Sequence, residues 1–141
     1  MKELELESRR ELLDDVLLWM DAITEPYNVP RRTFVQLHVC IEELYVNICN
    51  YAYGGDIGWV KLLADVEIRD GIPVFKMIFM DKGVPFNPLE HIDPDITLDA
   101  EERNIGGLGI LMVKKRMDSF TYEHKDGCNI VTIEKLLAQK N

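Results

Sequence analysis

Two Asp-Gly pairs constrain the fold of this 141-residue chain more than any other feature of its sequence. Each pair separates two apolar, strand-like segments. The pairs are Asp70–Gly71, between residues 58–68 and 73–80, and Asp126–Gly127, between residues 119–125 and 128–135. Because aspartate and glycine both tolerate positive φ in a tight turn, each pair predicts a β-hairpin. The chain is therefore expected to contain a sheet that is at least partly antiparallel.

The longest helix is expected over residues 33–53. Apolar residues recur there at helical spacing along one stripe, which is typical of a helix that covers a core. They are Phe34, Leu37, Ile41, Leu44 and Ile48. Gly54 and Gly55 follow, and glycine commonly stands just past the end of a helix.

Shorter elements complete the pattern. A helix near residues 12–23 follows Ser8, which is expected to cap it. A short strand is expected where Leu4 and Leu6 alternate with charged residues, and a short helix near residues 107–117. The length of the chain predicts a single domain over residues 1–141.

About 25 residues between the two hairpins lack periodicity, which is uncommon in a compact domain unless the segment is a lid or a binding loop. The segment begins with "DKGVPFNP" from Asp81 and ends with "GGLGI" from Gly106. Both ends are rich in glycine or proline, so we interpret the segment as a lid that is anchored at both ends.

Composition excludes several classes of function. A net charge of −9 makes broad contact with DNA, RNA or an anionic membrane unexpected. No apolar run is long enough to span a bilayer, and the charged start "MKELELESRR" does not resemble a signal peptide, so a cytoplasmic setting is expected. Three cysteines without a C-x-x-C pair argue against a disulfide framework or a zinc site and predict buried free thiols.

The long helix carries a candidate site on its polar face, where Gln36, Glu43, Asn47 and Asn50 fall on one stripe. Glu43 and Asn47 are four residues apart, so they are neighbours on consecutive turns. A carboxylate beside a carboxamide can supply a general base and an oxygen ligand for Mg²⁺. The alternative is an ordinary solvated helix face, although asparagine is a poor helix former and costs stability if it has no role.

Two glycine-containing segments are further candidates. Asp81 lies where a core strand ends, and Gly83 allows the backbone to approach a flat ligand closely. The alternative for this segment is an ordinary turn that aspartate caps. The glycines of "NIGGLGI" precede the last helix, where free N–H groups favour an anion such as phosphate; the alternative is a glycine-rich helix start without a ligand.

The order of these segments resembles that of the GHKL ATPases, which have the Bergerat ATP-binding fold. Within that family the chain is most similar to the small anti-sigma-factor serine kinases of bacteria. "IEELYVNICNYAY" resembles their N-box, "DKGVPFNP" their first glycine box, and "GGLGILMVKKR" their second, so that the resemblance covers residues 33–136. It implies an α+β two-layer sandwich, in which a mixed, largely antiparallel sheet is covered by helices on one face.

The resemblance also implies a ligand and roles for individual residues. ATP and Mg²⁺ would bind, Asp81 would accept a hydrogen bond from the adenine amino group, Asn47 would ligate the metal, and Glu43 would be the general base toward a protein serine. The nucleotide-binding set would be Asn47, Asp81, Gly83, Phe86, Gly106, Gly107, Leu108 and Gly109. The chain departs from the family pattern at Tyr51, where histidine is frequent, at Asn87, where aspartate is common, and in an acidic lid whose one arginine is Arg103.

Two functions follow from this resemblance. The first is a serine/threonine kinase that phosphorylates a STAS-type anti-sigma-factor antagonist and sequesters a sigma factor in a partner-switching pathway. The second is a nucleotide-gated binding module that sequesters a partner without phosphoryl transfer. A scaffold that binds no nucleotide is a weaker third interpretation. Homodimers are common in the resembled family, and this is the ground for expecting one here.

Overall fold

A five-stranded sheet forms one layer of the structure, a computed structural model that describes residues 1–91 and 107–138. The strands are β1 (Lys2–Glu7), β2 (Trp59–Arg69), β3 (Ile72–Asp81), β4 (Ser119–Lys125) and β5 (Cys128–Leu136). Their order in the sheet is β1-β2-β3-β5-β4, and every pairing between these strands is antiparallel. The predicted α+β sandwich is confirmed, and the parallel pairing that a mixed sheet would include does not occur among the described strands.

Both predicted hairpins are present. Asp70 and Gly71 join β2 to β3 with φ angles of 52° and 79°, and Asp126 and Gly127 join β4 to β5 with 52° and 78°. Two successive residues with positive φ form the turn that matches the twist of antiparallel strands. The turn at Asp70 also sets the register of β2 against β3, which places Asp81 opposite Val60.

Three helices form the second layer: α1 (Leu13–Thr24), α2 (Arg31–Asn47) and α3 (Gly107–Arg116). The long predicted helix begins two residues earlier than expected, and a π-helical turn over Ile48–Ala52 continues it. Gly54 and Gly55 follow with positive φ, as an end signal requires. Short 3-10 turns occupy Arg10–Leu12, Glu25–Tyr27 and Pro88–His91.

The prediction that Ser8 caps a helix is wrong. Its Oγ accepts a hydrogen bond of 2.9 Å from the Gly58 N–H, and its own N–H donates to the Gly58 carbonyl at 2.9 Å. Ser8 therefore joins the end of β1 to the residue before β2, and α1 begins without a side-chain cap. The sequence around Ser8 is the same whether Ser8 caps a helix or binds Gly58. The contact with Gly58 could not be predicted from it, because only the tertiary fold brings Gly58 within reach.

The core lies between the inner face of the sheet and the helices. The predicted stripe of α2 supplies Leu37, Ile41 and Leu44, and the sheet supplies residues at alternating positions of β2, β3 and β5. The largest of these are Leu62, Phe75, Met77, Phe79 and Ile133. Cys40 and Cys128 are buried free thiols as predicted, whereas Cys49 is only half-buried.

Three predictions about the segment between β3 and α3 fall partly or wholly on residues 92–106. The lid, the role of Arg103 and the place of Gly106 therefore lie outside the described residues. The first part of the segment is described as far as the 3-10 turn at Pro88–His91. At its other end, α3 begins at Gly107 and finishes with Lys114, Lys115 and Arg116, which complement the helix dipole there.

Candidate functional site

A pocket opens between α2 with its π-helical turn, the end of β3, the start of β5 and the segment after β3. The lining residues are Leu44, Asn47, Ile48, Tyr51, Ala52, Phe79, Asp81, Val84, Phe86, Pro88, Asn129 and Val131. Most of them are apolar, and polar side chains come from only a few positions, as is usual for a small-molecule site. The fold thus brings together Asn47, Asp81 and Phe86. The sequence analysis predicts all three as site residues, although Asn47 is far from the other two in the chain.

Asp81 supplies the carboxylate of the pocket lining and is buried, with a fractional exposure of 6%. Its Oδ1 accepts hydrogen bonds of 2.9 Å from the Gly83 N–H and 2.9 Å from Asn129 Nδ2. Oδ2 receives none from the described residues, which leaves it available to a donor on a ligand. Burial raises the pKa of the carboxyl above its usual range, although the bonds from Asn129 and Gly83 lower it in part.

Asn129 connects Asp81 to the segment that follows β3, and sequence reasoning missed it. It lies opposite Asp81 in the β3–β5 register and is 4% exposed. Its Nδ2 also donates to the Val84 carbonyl at 2.9 Å, while its Oδ1 accepts from the Phe86 N–H at 3.1 Å and from the Tyr122 hydroxyl at 2.5 Å. A polar residue at an inward-facing position of β5, in line with Val131 and Ile133, is the sequence signal that could have found it.

Gly83 is required where the segment after β3 meets the π-helical turn. A Cβ at this position would overlap the carbonyl of Ala52. The next residue, Val84, donates its N–H to that same carbonyl at 3.0 Å. In the structure the close backbone approach that glycine allows is therefore to Ala52, and an approach to a ligand remains a prediction.

The segment after β3, residues 82–88, is also held by hydrogen bonds from outside the pocket. The Tyr53 hydroxyl accepts a hydrogen bond of 2.8 Å from the Lys82 N–H and donates one of 2.5 Å to the Trp59 carbonyl. Together with Asn129 and Ala52, Tyr53 fixes this segment to both layers of the fold. We refer to Asp81, Asn129 and residues 82–88 as the sheet end of the site.

The helix end of the site consists of Glu43, Asn47 and the first turn of α3, which contains Gly107, Leu108 and Gly109. A Cβ on Gly109 would overlap the Glu43 carboxylate in its present position, so the Glu43 side chain lies directly against the backbone of α3 here. Glu43 and Asn47 are both half-buried. Within residues 1–91 and 107–138, neither side chain takes part in a side-chain hydrogen bond, in contrast to the sheet end.

Burial raises the pKa of Glu43 above its usual range, and the neighbouring charge of Glu42 raises it further. Nearby, the N-terminal turn of α3 has N–H groups that find no partner inside the helix. The helix end therefore combines a carboxylate that is more basic than usual with donors that favour an anion.

The donor set limits how a metal could bind. The described residues contain no cluster of three or more histidine, cysteine, aspartate or glutamate side chains. Asn47 and Glu43 supply oxygen atoms, which Mg²⁺ prefers, but they are too few for a complete protein cage. Such a pair fits a Mg²⁺ ion whose remaining ligands are waters and phosphate oxygens.

The pocket is narrow in this conformation. It encloses about 50 Å³, whereas one buried water requires about 10–15 Å³ on the same measure. This is room for a few waters and less than a purine occupies.

The sequence of this chain is similar to a known protein family and to a known protein kinase. The family model described as histidine kinase-like ATPase domain matches residues 6–135. Serine/threonine-protein kinase BtrW of Bordetella bronchiseptica is 23% identical over 131 residues, which are 92% of this chain and 89% of that protein.

Solved structures with a similar fold include the RsbU and RsbW domains of Rv1364c from Mycobacterium tuberculosis, with a TM-score of 0.62 and 12% identity. That match covers 96% of this chain and 33% of the other, so the chain spans about a third of that protein. The catalytic domain of histidine kinase ThkA, in a nucleotide-free form, matches with a TM-score of 0.52 and 12% identity over 99% of this chain and 100% of that one. No helix in the described part of the chain is long and apolar enough to cross a membrane.

Proposed function

The chain belongs to the histidine kinase-like ATPase domain family, and from this premise we propose that it is a protein serine/threonine kinase that uses ATP and Mg²⁺. The observation that carries the proposal is the arrangement of one pocket. Asp81 and Asn47 both line it, and Glu43 lies one turn of α2 before Asn47. The name of the relative BtrW supports the same activity.

The sheet end suits adenine. Apolar side chains such as Phe79 and Val131 offer walls for a flat base, and Asp81 offers one unused carboxylate oxygen. The amino group at position 6 of adenine is a donor, whereas guanine has a carbonyl acceptor there. An ionised Asp81 therefore favours ATP over GTP, because two acceptors would face each other in the guanine complex.

The helix end suits the phosphates. The N–H groups of the first turn of α3 would bind phosphate oxygens, and Asn47 would hold Mg²⁺. When bound, Mg²⁺ neutralises negative charge on the phosphates and orients them, which phosphoryl transfer requires more than covalent chemistry. Such local neutralisation is needed because the chain has a net charge of −9.

Glu43 is the residue that we propose as general base. Its raised pKa makes it a stronger acceptor for the proton of an incoming hydroxyl. It also lies on the half-buried face of α2 beside Gly109, where no side chain separates it from α3. A hydroxyl presented there would lose its proton to Glu43 as its oxygen attacks the terminal phosphorus of ATP, and the bond from that phosphorus to the bridging oxygen would break to release ADP.

The partners that we propose follow from the resemblance to anti-sigma-factor kinases. They are a STAS-type antagonist, whose serine accepts the phosphate, and a sigma factor that the protein sequesters until the antagonist displaces it. We also propose that residues 1–141 act as one cytoplasmic domain, with homodimer formation as in that family.

A nucleotide-gated module without phosphoryl transfer is the second candidate. The contact of Glu43 with Gly109 favours it, because a carboxylate packed against α3 must be able to reach a hydroxyl before it can act as a base. Both candidates predict ATP binding, and they differ only in the fate of the terminal phosphate.

The test combines nucleotide binding with phosphoryl transfer. The protein is incubated with ATP, Mg²⁺ and the STAS-type protein encoded beside it, and intact mass reports a single added phosphoryl group on the partner. We expect transfer with ATP, less with GTP, and none when Mg²⁺ is chelated. Tight ATP binding to the protein with no change in the mass of a partner that forms a complex with it would leave the binding module as the function.

A further inference from the structure

A second concave surface lies between α2 and α3, on the side of the helices away from the sheet. We call it the α2–α3 groove; its space of about 410 Å³ is lined by Arg32, Val35, Gln36, Val39, Met112 and Arg116. Val35 and Val39 are 44% and 41% exposed, which is high for branched apolar side chains on a helix that covers a core. No element in the described part of the chain covers them.

The two ends of the α2–α3 groove differ in charge. Arg32 at the start of α2 and Arg116 at the end of α3 lie at one end, and neither pairs with an acidic residue of the described segments. Both arginines are exposed and lie beside apolar side chains of the groove, in a chain whose net charge is −9. They are complementary to a carboxylate, which arginine can bind with two parallel hydrogen bonds.

The other end of the α2–α3 groove leads to the helix end of the nucleotide site. Glu43 follows Val39 by four residues, so the two lie on the same face of α2 on consecutive turns. Cys40 lies in the floor of the groove, three residues before Glu43 on α2. The face of α2 that lines the groove therefore continues, one turn beyond Val39, to the proposed base Glu43.

We propose that the α2–α3 groove docks the phosphoacceptor segment of the partner protein. Acidic side chains of that segment bind Arg32 and Arg116, an apolar side chain packs on Val39, and the acceptor hydroxyl reaches Glu43. This inference rests on the proposed kinase function, and it adds the chemistry by which the substrate is recognised.

The length of the α2–α3 groove sets the spacing within such a substrate. Arg32 and Glu43 are eleven positions apart on α2, which at 1.5 Å per residue is about 16 Å. About five residues of extended chain cover the same distance. The acceptor serine should therefore follow or precede its acidic residues by about five positions, with an apolar residue between them.

Synthetic peptides provide the test. One fluorescent peptide carries two glutamates, a central leucine and a serine five positions from the glutamates; a second has lysines for the glutamates, and a third has alanine for the leucine. Anisotropy is measured in the presence of Mg²⁺ and a non-hydrolysable ATP analogue, so that the serine is not phosphorylated during the measurement. We expect the first peptide to bind about tenfold or more tightly than either of the others, as fits a charged contact beside an apolar one.

Charge-reversed variants locate the contact. Arg32→Glu and Arg116→Glu should each weaken binding of the first peptide by about tenfold and raise the KM for its phosphorylation with little change in kcat. Arg31→Glu is the matched control, because it makes the same change in charge one residue away, outside the groove lining, and it should behave like the parent. Equal weakening by Arg31→Glu and Arg32→Glu would overturn the proposal.

ATP affinity is measured for every variant. This measurement distinguishes a failure of the docking proposal from a failure of the proposed kinase function. Intact ATP binding without any preference for the first peptide refutes the groove alone, whereas a parent protein that binds no ATP refutes the proposed function. Sedimentation provides a further check. A dimer that Arg32→Glu converts to a monomer would show that the groove contacts a second copy of the chain, and the proposal would be wrong.

Discussion

The sheet end and the helix end of the site meet at one pocket, which Asp81 and Asn47 both line, but they are held in different ways. At the sheet end, the single side chain of Asn129 forms hydrogen bonds with four residues: Asp81, Val84, Phe86 and Tyr122. At the helix end, Glu43 and Asn47 are positioned by helix packing, without side-chain hydrogen bonds to other described residues. The buried polar groups at the sheet end thus form several hydrogen bonds within the fold, whereas the half-buried Glu43 and Asn47 form no side-chain hydrogen bond with a described residue.

This difference predicts how each end responds to mutation. A hydrogen-bond network that is buried contributes to the stability of the fold as well as to ligand affinity, because removing one member leaves others unsatisfied. The carboxylate of Glu43, whose pKa burial raises, belongs to no such network and does not stabilise the fold in that way. Changes at the sheet end should therefore alter stability and affinity together, and a change that removes only the basicity of Glu43 should alter the rate alone.

The largest effect is expected for Glu43→Gln. A general base contributes about 10²- to 10⁴-fold to a rate, and the amide keeps the size of the side chain while removing its basicity. Phosphoryl transfer to the partner should fall by that factor, with ATP affinity close to that of the parent. The free energy of unfolding should not decrease, since the raised pKa means that the ionised side chain opposes folding at neutral pH.

Glu42→Gln is the control for that experiment, because it removes the same charge from the adjacent, exposed position of α2. It should leave the rate of transfer at neutral pH nearly unchanged. Transfer by Glu43→Gln at the parent rate would remove Glu43 from the mechanism, and a lower ATP affinity in that variant would show that the two ends are not independent.

Asp81→Ala tests the sheet end directly. The lost hydrogen bond to a charged acceptor corresponds to about 1.5–3 kcal/mol, or about 10- to 150-fold in ATP affinity. Preference for ATP over GTP should disappear with it. Calorimetric titration of both nucleotides measures the change, and unchanged ATP affinity would rule out Asp81 as the adenine acceptor.

Asn129→Leu should act on stability and affinity at once. The substitution leaves Asp81 Oδ1 with one partner fewer and the N–H of Phe86 without this acceptor, so the free energy of unfolding should fall by about 1–3 kcal/mol. ATP affinity should fall as well, because the segment after β3 loses its connection to β5. Thr132→Val, on the opposite face of β5, should change neither quantity. An Asn129→Leu protein with parental stability by denaturant unfolding would contradict the distinction between the two ends.

The smallest effect is expected in the pH dependence of transfer. A base must be deprotonated to act, so the rate should rise with pH through the raised pKa of Glu43, above the usual value of 4.5. Burial is the larger cause of the raised pKa and the charge of Glu42 the smaller. Glu42→Gln should therefore shift the midpoint of the pH–rate profile slightly downward, whereas Arg31→Glu, which adds a charge at the far end of α2, should not lower it.

The elements of the fold were predictable wherever one local pattern has one structural outcome. Asp126–Gly127 forms the predicted hairpin, because positive φ at two successive residues is a local property of the turn. The inner stripe of α2 is buried for a similar reason, since its spacing matches only a helix. Ser8 shows the limit of such reasoning: its capping pattern was correct in form, but Gly58, fifty residues away, is its partner.

Part of the site was also predictable. Asp81, Gly83 and Asn47 occur in ordered segments that resemble a family, and the fold brings them to one pocket or its edge. Asn129 was not found, because nothing in its own segment indicates that its amide will lie opposite Asp81. That pairing depends on the register of two strands that are 48 residues apart in sequence at this point.

The sequence by itself determined the two hairpins, the three helices and the residue types that could meet an adenine, a metal and a hydroxyl. These depend on φ preferences, on the period of apolar residues and on side-chain chemistry, all of which act within a few residues. Only the tertiary structure decided that Asn129 holds Asp81 with one oxygen unused, that Gly83 packs on Ala52, and that Glu43 faces Gly109. Each of these depends on how two distant segments pack, and close packing of a whole core, rather than any local preference, sets those distances.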